Sequence, residues 1–439
     1  MDRIESVGQP GLGMRQRRWM MGCAGAALVL LAGCGSSSSS GSDTASVRLL
    51  NASTGYPSLD LALGTTATNT AITPGAAGSY ANVATSGVST VITATGSSAA
   101  LSSISRTFTK GTHYTLAAYG QAGALKTVII AEEVAAAAGG QASLQMLNLA
   151  LDAGTVDIYL TGSTDLLADA TPVASSVAAG GSAPFTTLTA GTYRLRVTGA
   201  GDKTDLRLDA QGLVLGSTQV ATLLLSGGAG GVLVNSVLVQ QQGTAAALNN
   251  TQARVRVVSA LSSGASVTAQ VGGIVQPGVT APNIGSYFQV TGGGTVPVVL
   301  TVNGNAVGAA SQPLLPGGDY TLLLWDLAGA PQVKMVIDDN RYPTVAGNAK
   351  IRLINGTTGT ATALTLKANF SAVGGSISPG QATDYVNVAA NSAMRLDVSS
   401  GSSPAPLYTL SGPVVAKGLY TMYMFGAGAA PVGDFRQDR

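Results

Sequence analysis

The sequence predicts an all-β protein in which antiparallel β-sandwiches follow one another along the chain. Three observations support this prediction. Apolar and polar residues alternate over short runs, as in Arg194-Leu195-Arg196-Val197, which is the period of a half-buried strand. Clusters of Gly, Ser, Thr and Pro interrupt these runs every ~8–12 residues, as in sandwiches. The same set of landmarks also occurs four times in the same order.

Composition and length agree with several small β-domains. The chain has 439 residues, of which 10% are charged, against ~25% in an ordinary soluble domain. Alternation gives each strand one buried and one solvated face, so two sheets must pack over each other in each domain. The one long uncharged apolar stretch is at residues 19–34. A polytopic membrane protein is excluded, because each span needs ~20 apolar residues.

The repeats are marked first by two strands. The first strand lies at residues 46–51, 143–148, 254–259 and 350–355, and its last residues, Asn51, Asn148, Ser259 and Asn355, are 97, 111 and 96 residues apart. The second strand lies nine or ten residues later, at 59–61, 156–158, 267–269 and 364–366. A fixed order of landmarks at a period near 100 residues predicts tandem copies of one domain.

Two further landmarks complete each copy. An aromatic residue precedes an aliphatic one by three positions, at Tyr80, Phe185, Tyr287 and Tyr385. A glycine turn then leads into a strand such as Tyr114-Thr115-Leu116. These landmarks predict four sandwiches at residues 46–134, 142–242, 253–340 and 349–439. The connecting segments are short, so we expect adjacent units to touch and to form a semi-rigid rod.

Residues 1–33 have the pattern of a secretory signal, with Arg15, Arg17 and Arg18 ahead of an apolar run from Trp19 to Ala32. Its end, Leu31-Ala32-Gly33-Cys34, resembles the lipobox of bacterial lipoproteins. The resemblance implies cleavage before Cys34, acylation of that cysteine, and attachment to the membrane by lipid. Gly35, where an inner-membrane retention signal would have Asp, favours the outer membrane, on its cell-surface or periplasmic face.

Two alternatives remain for this segment: a chance cysteine in an ordinary signal, or an uncleaved anchor helix. Residues 34–45 contain the lipidated cysteine and a Gly/Ser run that is typical of a flexible tether. Cys23 lies in the segment that is removed. The mature chain would therefore have neither a disulfide nor a free thiol.

The order of the landmarks resembles a bacterial repeat, the domain of unknown function 4397. That resemblance covers about residues 46–439 and implies an immunoglobulin-like sandwich that is common in exported lipoproteins and surface proteins. It is strongest in the first copy, at Asn51-Ala52-Ser53 and Asp60. Later copies depart from it, with Ser259 in place of the asparagine and with Thr268 and Thr365 in place of the aspartate. The family has no assigned activity, so the resemblance implies a fold and a location but no reaction.

Candidate ligand contacts follow from the resemblance and from one rare residue. If the polar positions form a family binding site, it would use Asn51 and Asp60 in the first copy and Asn148 and Asp157 in the second. Trp325 is the one tryptophan of the predicted mature chain; packing inside the third unit is the alternative. The four repeated aromatics are interpreted as core or corner residues, with a sugar-stacking face as the alternative.

Rare chemical residues limit the possible activities. A single histidine, His113, and two cysteines are too few for the usual His and Cys zinc sites, and no activated nucleophile can be assembled around His113. The acidic pairs Glu132-Glu133 and Asp338-Asp339 are interpreted as solvated edge residues, with an interdomain calcium site as the alternative. Beyond residue 33 the chain has 19 basic and 19 acidic residues. Its neutrality argues against nucleic acid as a partner.

The sequence therefore predicts no catalytic residues, no metal and no cofactor. Its leading interpretation is a non-enzymatic, lipid-anchored cell-envelope protein that displays four β-sandwich repeats for adhesion or structural interaction. The alternative is a module that binds carbohydrate or a cell-wall polymer, and another surface protein is a third kind of partner. Binding of the purified protein to polysaccharide would favour the alternative.

Overall fold

The computed structural model describes residues 43–308, 311–358, 363–401 and 405–439, and these residues form four β-sandwiches. Two short 3-10 turns, Leu151–Ala153 and Leu167–Asp169, are the helical elements of the described chain. No helix among these residues is long and apolar enough to span a bilayer. The predicted signal, Cys34 and the tether up to Ser42 lie outside the described residues.

Sandwich 1 has two four-stranded sheets, which lie in the orders β4-β1-β7-β8 and β3-β2-β5-β6. Its strands are β1 (Thr44–Ser53), β2 (Leu59–Leu63), β3 (Thr66–Ile72), β4 (Ala81–Ala84), β5 (Val88–Ala94), β6 (Ala100–Arg106), β7 (His113–Gly120) and β8 (Lys126–Ala131).

Sandwich 2 contains a five-stranded and a four-stranded sheet, in the orders β12-β9-β15-β16-β17 and β11-β10-β13-β14. Its strands are β9 (Gln141–Asn148), β10 (Val156–Thr161), β11 (Ala174–Val177), β12 (Ser182–Thr189), β13 (Gly191–Gly199), β14 (Asp202–Leu215), β15 (Val220–Gly227), β16 (Val234–Gln240) and β17 (Ala245–Leu248).

Sandwich 3 repeats this plan with β21-β18-β27-β28, where β22 also pairs with β18, against β20-β19-β24-β25; β23 and β26 form a separate ribbon. Its strands are β18 (Gln252–Ala260), β19 (Ser266–Val271), β20 (Ile274–Thr280), β21 (Asn283–Ile284), β22 (Phe288–Thr291), β23 (Gly294–Val296), β24 (Val298–Val302), β25 (Asn305–Val307), β26 (Gln312–Leu314), β27 (Asp319–Leu327) and β28 (Ala330–Asp338).

Sandwich 4 pairs β32-β29-β36-β37, with β33 also beside β29, against β31-β30-β34-β35. Its strands are β29 (Asn348–Asn355), β30 (Leu364–Ala368), β31 (Ser371–Ile377), β32 (Gln381–Ala382), β33 (Val386–Ala389), β34 (Asn391–Ser400), β35 (Tyr408–Val414), β36 (Leu419–Phe425) and β37 (Val432–Gln437).

The predicted fold class is confirmed, with one addition. In each sandwich the first strand runs parallel to the strand of the glycine-turn landmark, as in β1 beside β7 and β18 beside β27. β9 beside β15 and β29 beside β36 repeat this arrangement. We call the sheet that contains this parallel pair the inner sheet, and its opposite the outer sheet.

Alternation accounts for the core of each sandwich. In β2 the apolar residues Leu59, Leu61 and Leu63 are buried, and the residues between them are partly exposed. They pack against Val47 and Leu49 of β1 and Leu116 of β7 in one hydrophobic cluster. The other three sandwiches each have a cluster of the same kind.

The inner sheets are buried on both faces, because the sandwiches pack in pairs through them. Leu50 of β1 and Tyr119 of β7 face away from the core of sandwich 1 and pack with Leu147, Leu224 and Val237 of sandwich 2. A matching seam joins sandwich 3 to sandwich 4 through Leu323, Trp325, Ile354, Tyr423 and Phe425. Because these strands are buried on both faces, their sequences are apolar at nearly every position.

Contacts between non-adjacent sandwiches contradict the expected rod. Asp152 of sandwich 2 accepts hydrogen bonds from the backbone N–H of Tyr342, 2.8 Å away, and from the side chain of Gln121 in sandwich 1. Its backbone carbonyl is bound by Arg439, at the end of sandwich 4. Burial raises the pKa of the Asp152 carboxyl. A linear array in which each unit touches only its neighbours in sequence does not have such contacts.

Candidate functional site

The candidate asparagines lie at the ends of inner-sheet strands, where they tie the two sheets together. Asn51 is fully buried; its side-chain amide donates to the carbonyl of Ile72 on β3 at 2.8 Å and its oxygen accepts from Ser53. Asn148 donates to the carbonyl of Val177 at 3.0 Å, and Asn355 to that of Ile377 at 3.0 Å. Each asparagine therefore forms an inter-sheet hydrogen bond at the same place in its sandwich.

The candidate aspartates hold bulges in the outer sheet. Asp60 accepts from the backbone N–H of Ala71 at 2.6 Å, and Asp157 from that of Ser176 at 2.7 Å. Ala71 and Ser176 have φ of 55° and 52°, the left-handed region that non-glycine residues adopt rarely. The strand register shifts beside both aspartates. Their carboxylates thus stabilise a strained backbone.

The structure brings Asn51 and Asp60 to the neighbouring residues Ile72 and Ala71, and Asn148 and Asp157 to Val177 and Ser176. It does not bring Trp325 to either group. Trp325 is largely buried in the seam between sandwiches 3 and 4, beside Gly380. Leu31, Ala32, Gly33 and Cys34 lie outside the described residues. Ligand contact stays a prediction for the five candidates, Asn51, Asp60, Asn148, Asp157 and Trp325.

A second constellation, which the sequence analysis missed, occurs in sandwiches 1, 3 and 4. An arginine of the first strand donates from Nε to the threonine hydroxyl beside it on the parallel strand, at 2.7, 2.8 and 2.9 Å. That threonine and a tyrosine both donate to one carboxylate at the end of the last strand or directly after it. The sets are Arg48, Thr115, Tyr80 and Glu132; Arg256, Thr321, Tyr287 and Asp338; and Arg352, Thr421, Tyr385 and Asp438.

In each set the guanidinium also lies over the tyrosine ring, 4.3 to 4.7 Å from its centroid. Cation–π contact and charge-assisted hydrogen bonds are strong where water is excluded. We call each set an Arg–acid cluster. The clusters lie where the inner sheets of paired sandwiches meet.

The clusters of sandwiches 3 and 4 exchange partners. Arg352 of sandwich 4 lies 2.7 Å from a carboxylate oxygen of Asp338 in sandwich 3, and Arg256 of sandwich 3 binds Asp438 of sandwich 4. Burial alone would raise the pKa of Asp338, but Arg352 and Arg256 outweigh it and lower that pKa below its usual value. Asp338 is therefore ionised inside the interface.

The cluster of sandwich 1 has no charged partner among the described residues of sandwich 2. Arg48 donates instead to the backbone carbonyl of Gly243 at 2.5 Å, and Glu132 accepts from the backbone N–H of Gln242. Sandwich 2 has uncharged residues at the three cluster positions, Gln145, Phe185 and Gln241, with Thr222 retained. The strand register fixes these equivalences, since Gln145 lies beside Thr222 as Arg48 lies beside Thr115.

The interpretation of Glu132 and Asp338 as solvated edge residues is therefore wrong. Both side chains are almost completely buried, and both bind arginine. Their neighbours Glu133 and Asp339 do keep substantial exposure. Among the described residues, no group of three His, Cys, Asp or Glu side chains is placed to hold a metal ion.

The repeated aromatics are corner residues in copies one, three and four, and copy two differs. Tyr80, Tyr287 and Tyr385 cover the arginines of their clusters, which is neither a core position nor an open stacking face. Phe185 is 38% exposed. His113 lies edge-on to Tyr80, 5.2 Å between ring centroids, and 3.4 Å from Glu133.

A cleft of about 290 Å³ opens between the two sheets of sandwich 3. Its floor is formed by core residues, among them Val257, Val267 and Ala269, and one wall by Val279 of β20. Phe288 lines the opposite side, and Gln276, Asn283 and Ser286 supply polar groups. No charged side chain of the described residues contributes to its lining.

Comparison with known proteins finds a matching family model and several similar solved structures. Residues 45–159 match the family model described as Domain of unknown function (DUF4397). The match spans sandwich 1 and continues into β10 of sandwich 2. No curated protein matches the chain.

One of these solved structures is from Bacteroides uniformis and is described, provisionally, as a cell adhesion protein. It is 11% identical, covers 46% of this chain and 98% of its own, and has a TM-score of 0.21. A score this low does not establish a shared fold. What the comparisons do establish is that the predicted resemblance of the first repeat to the domain of unknown function 4397 is correct.

Proposed function

We propose that this chain is a non-enzymatic, lipid-anchored protein of the cell envelope whose sandwiches form an interaction module for adhesion or structural contact. The observation that carries this proposal is the position of Leu31-Ala32-Gly33-Cys34, after basic residues and an apolar run and nine residues before Asp43, where the sandwich unit begins. Nine residues span at most about 30 Å. An acylated Cys34 would therefore keep the sandwiches close to the lipid surface.

The contacts that the polar side chains make support a non-enzymatic module. The Arg–acid clusters join sandwiches to each other, and the candidate asparagines and aspartates bond to backbone groups of their own sandwich. In the described residues these groups are committed to internal contacts. A general base or nucleophile needs geometry that reaches a substrate.

The outer sheets of sandwiches 1 and 3 favour a partner that is recognised without ions. Residues 61–105 and 257–318 contain no charged residue, and they include most of these two sheets. Hydroxyl and amide groups on such a surface suit a polysaccharide or an uncharged protein face. Attachment of the purified protein to cells or to isolated polysaccharide should therefore change little between low and high salt.

The anchor is tested by replacing Cys34→Ser and, as a matched control, Cys23→Ser in the full chain expressed in a Gram-negative host. Metabolic labelling with a palmitate analogue should label the native chain and Cys23→Ser, and Cys34→Ser should lose the label. Protease treatment of intact cells then separates surface display from the periplasmic face. If Cys34→Ser stays bound to the membrane, the lipid anchor is wrong and residues 19–34 are an ordinary membrane anchor.

A further inference from the structure

The cleft in sandwich 3 exists because its core residues are smaller than their counterparts. Sandwiches 1 and 4 have Leu, Leu, Leu and Ile at four equivalent core positions, whereas sandwich 3 has Val257, Val267, Ala269 and Val279. Together the four residues of sandwich 3 have six carbon atoms fewer. The counterparts are Leu49, Leu59, Leu61 and Ile72 in sandwich 1, and Leu353, Leu364, Leu366 and Ile377 in sandwich 4.

Sandwich 3 also lacks the tie that closes this edge elsewhere. Ser259 replaces the asparagine that in the other sandwiches donates to the outer-sheet strand, and its buried hydroxyl has no hydrogen-bond partner among the described residues. Thr268 replaces the aspartate of sandwiches 1 and 2 and bonds to Thr301 within its own sheet. The two sheets are therefore less firmly joined where the cleft opens.

The lining determines which molecules suit the cleft. Its floor and walls are aliphatic and aromatic, with the amides of Gln276 and Asn283 and the hydroxyl of Ser286 as hydrogen-bonding groups. The hydroxyl of Tyr287 is already committed, since it donates to Asp338 at 2.6 Å. The absence of charge from the lining disfavours an ion. Its volume is at the lower limit for ligand pockets.

An apolar cleft of this kind is unfavourable for stability when nothing fills it. Unfilled core volume destabilises a fold in proportion to its size, and apolar cavities remain dry and take up apolar molecules. We propose that the sandwich 3 cleft is a binding site for a small, uncharged molecule with an apolar body and at least one hydrogen-bonding group. The proposal is independent of the lipid anchor and of adhesion.

The test uses the full-length protein in detergent and saturation-transfer NMR with cyclohexanol, an uncharged ring with one hydroxyl. Ala269→Leu restores the counterpart residue and fills the cleft, and Ser259→Asn restores the missing tie. Val299→Leu is the matched control, because Val299 lies on the exposed face of the same outer sheet and gains the same kind of apolar bulk. Identical detergent in every sample cancels uptake by micelles.

We expect cyclohexanol transfer to be saturable for the native chain and Val299→Leu, and to fall at least fivefold in Ala269→Leu. Ala269→Leu should also unfold at a higher temperature than the native chain, because it fills empty volume. Equal transfer in all variants overturns the proposal, as does displacement of cyclohexanol by N-acetylglucosamine, which would indicate a sugar site. If Ala269→Leu unfolds at a lower temperature than the native chain, cyclohexanol transfer to Ser259→Asn is measured in its place. That transfer should also fall, because the restored tie closes the cleft.

Discussion

The two pairs of sandwiches use the same interface with different electrostatics. Both bury an apolar seam between inner sheets. In the pair of sandwiches 3 and 4, each sandwich gives an arginine to the other's aspartate. In the pair of sandwiches 1 and 2, one charged cluster faces backbone carbonyls and glutamines. The seam is therefore common to both pairs, and the charge exchange is particular to one.

In sandwich 2 the arginine, the acid and the tyrosine hydroxyl of an Arg–acid cluster are all absent together, while the threonine is kept as Thr222. Gln145, Gln241 and Phe185 stand at the three positions that differ. Removal of one partner alone leaves a buried charge unpaired, which is strongly destabilising, whereas removal of all partners is close to neutral. Gln241 instead binds the backbone of Val134 in sandwich 1 through both side-chain atoms.

The largest effect is expected from Asp338→Ala, which removes the carboxylate shared by Arg352, Arg256, Thr321 and Tyr287. Two buried guanidinium groups would lose a counter-charge, and we expect a loss of about 3–5 kcal/mol in the free energy of unfolding. Gln241→Ala, the equivalent change in the other pair, should cost about 1 kcal/mol. Urea denaturation measures both. Equal losses would contradict the difference between the pairs.

A smaller effect is expected at the glycines that follow the outer sheets. Gly380 and Gly75 occupy equivalent turns with φ of 78° and 81°, so alanine is strained at both. A Cβ at Gly380 would overlap the indole of Trp325, whereas one at Gly75 would lie 3.1 Å from the Cβ of Ala247. Gly380→Ala should therefore destabilise by about 1–3 kcal/mol more than Gly75→Ala.

Thermal unfolding of the two glycine variants checks this comparison, because both carry the same backbone strain. A Gly75→Ala variant as unstable as Gly380→Ala would mean that backbone strain decides the result. Trp325 would then have room to move, and the seam between sandwiches 3 and 4 would be looser than its packing indicates.

The smallest effect is expected when sandwich 4 is given the uncharged residues of sandwich 2, by Arg352→Gln, Asp438→Gln and Tyr385→Phe together. Arg256 and Asp338, 3.8 Å apart in sandwich 3, would then remain paired as Arg48 and Glu132 are. The triple variant should be at least about 1 kcal/mol more stable than Arg352→Gln alone. Additive losses in a mutant cycle would show that the cluster does not act as a unit.

The sequence predicted the repeats and their strands because hydrophobic alternation is a local property. It did not predict the pairing of inner sheets, although a signal was present: runs such as Leu323-Leu324-Trp325 are apolar at consecutive positions, which indicates burial on both faces. The burial of the acids at the ends of the last strands was not predicted, for the same reason. Exposure of Glu132 and Asp338 depends on a partner sandwich that local pattern does not describe.

By itself, the sequence determined the all-β class, the repeated order of strands, the resemblance of the first copy to one domain family and the residues available for chemistry. Each of these is a matter of composition, period or order along the chain. Only the tertiary structure decided which faces meet, which charges are buried together, and where a core is too small to fill its sandwich. Those outcomes depend on groups that are far apart in sequence, such as Arg256 and Asp438. Their energies arise only when folding removes both from water.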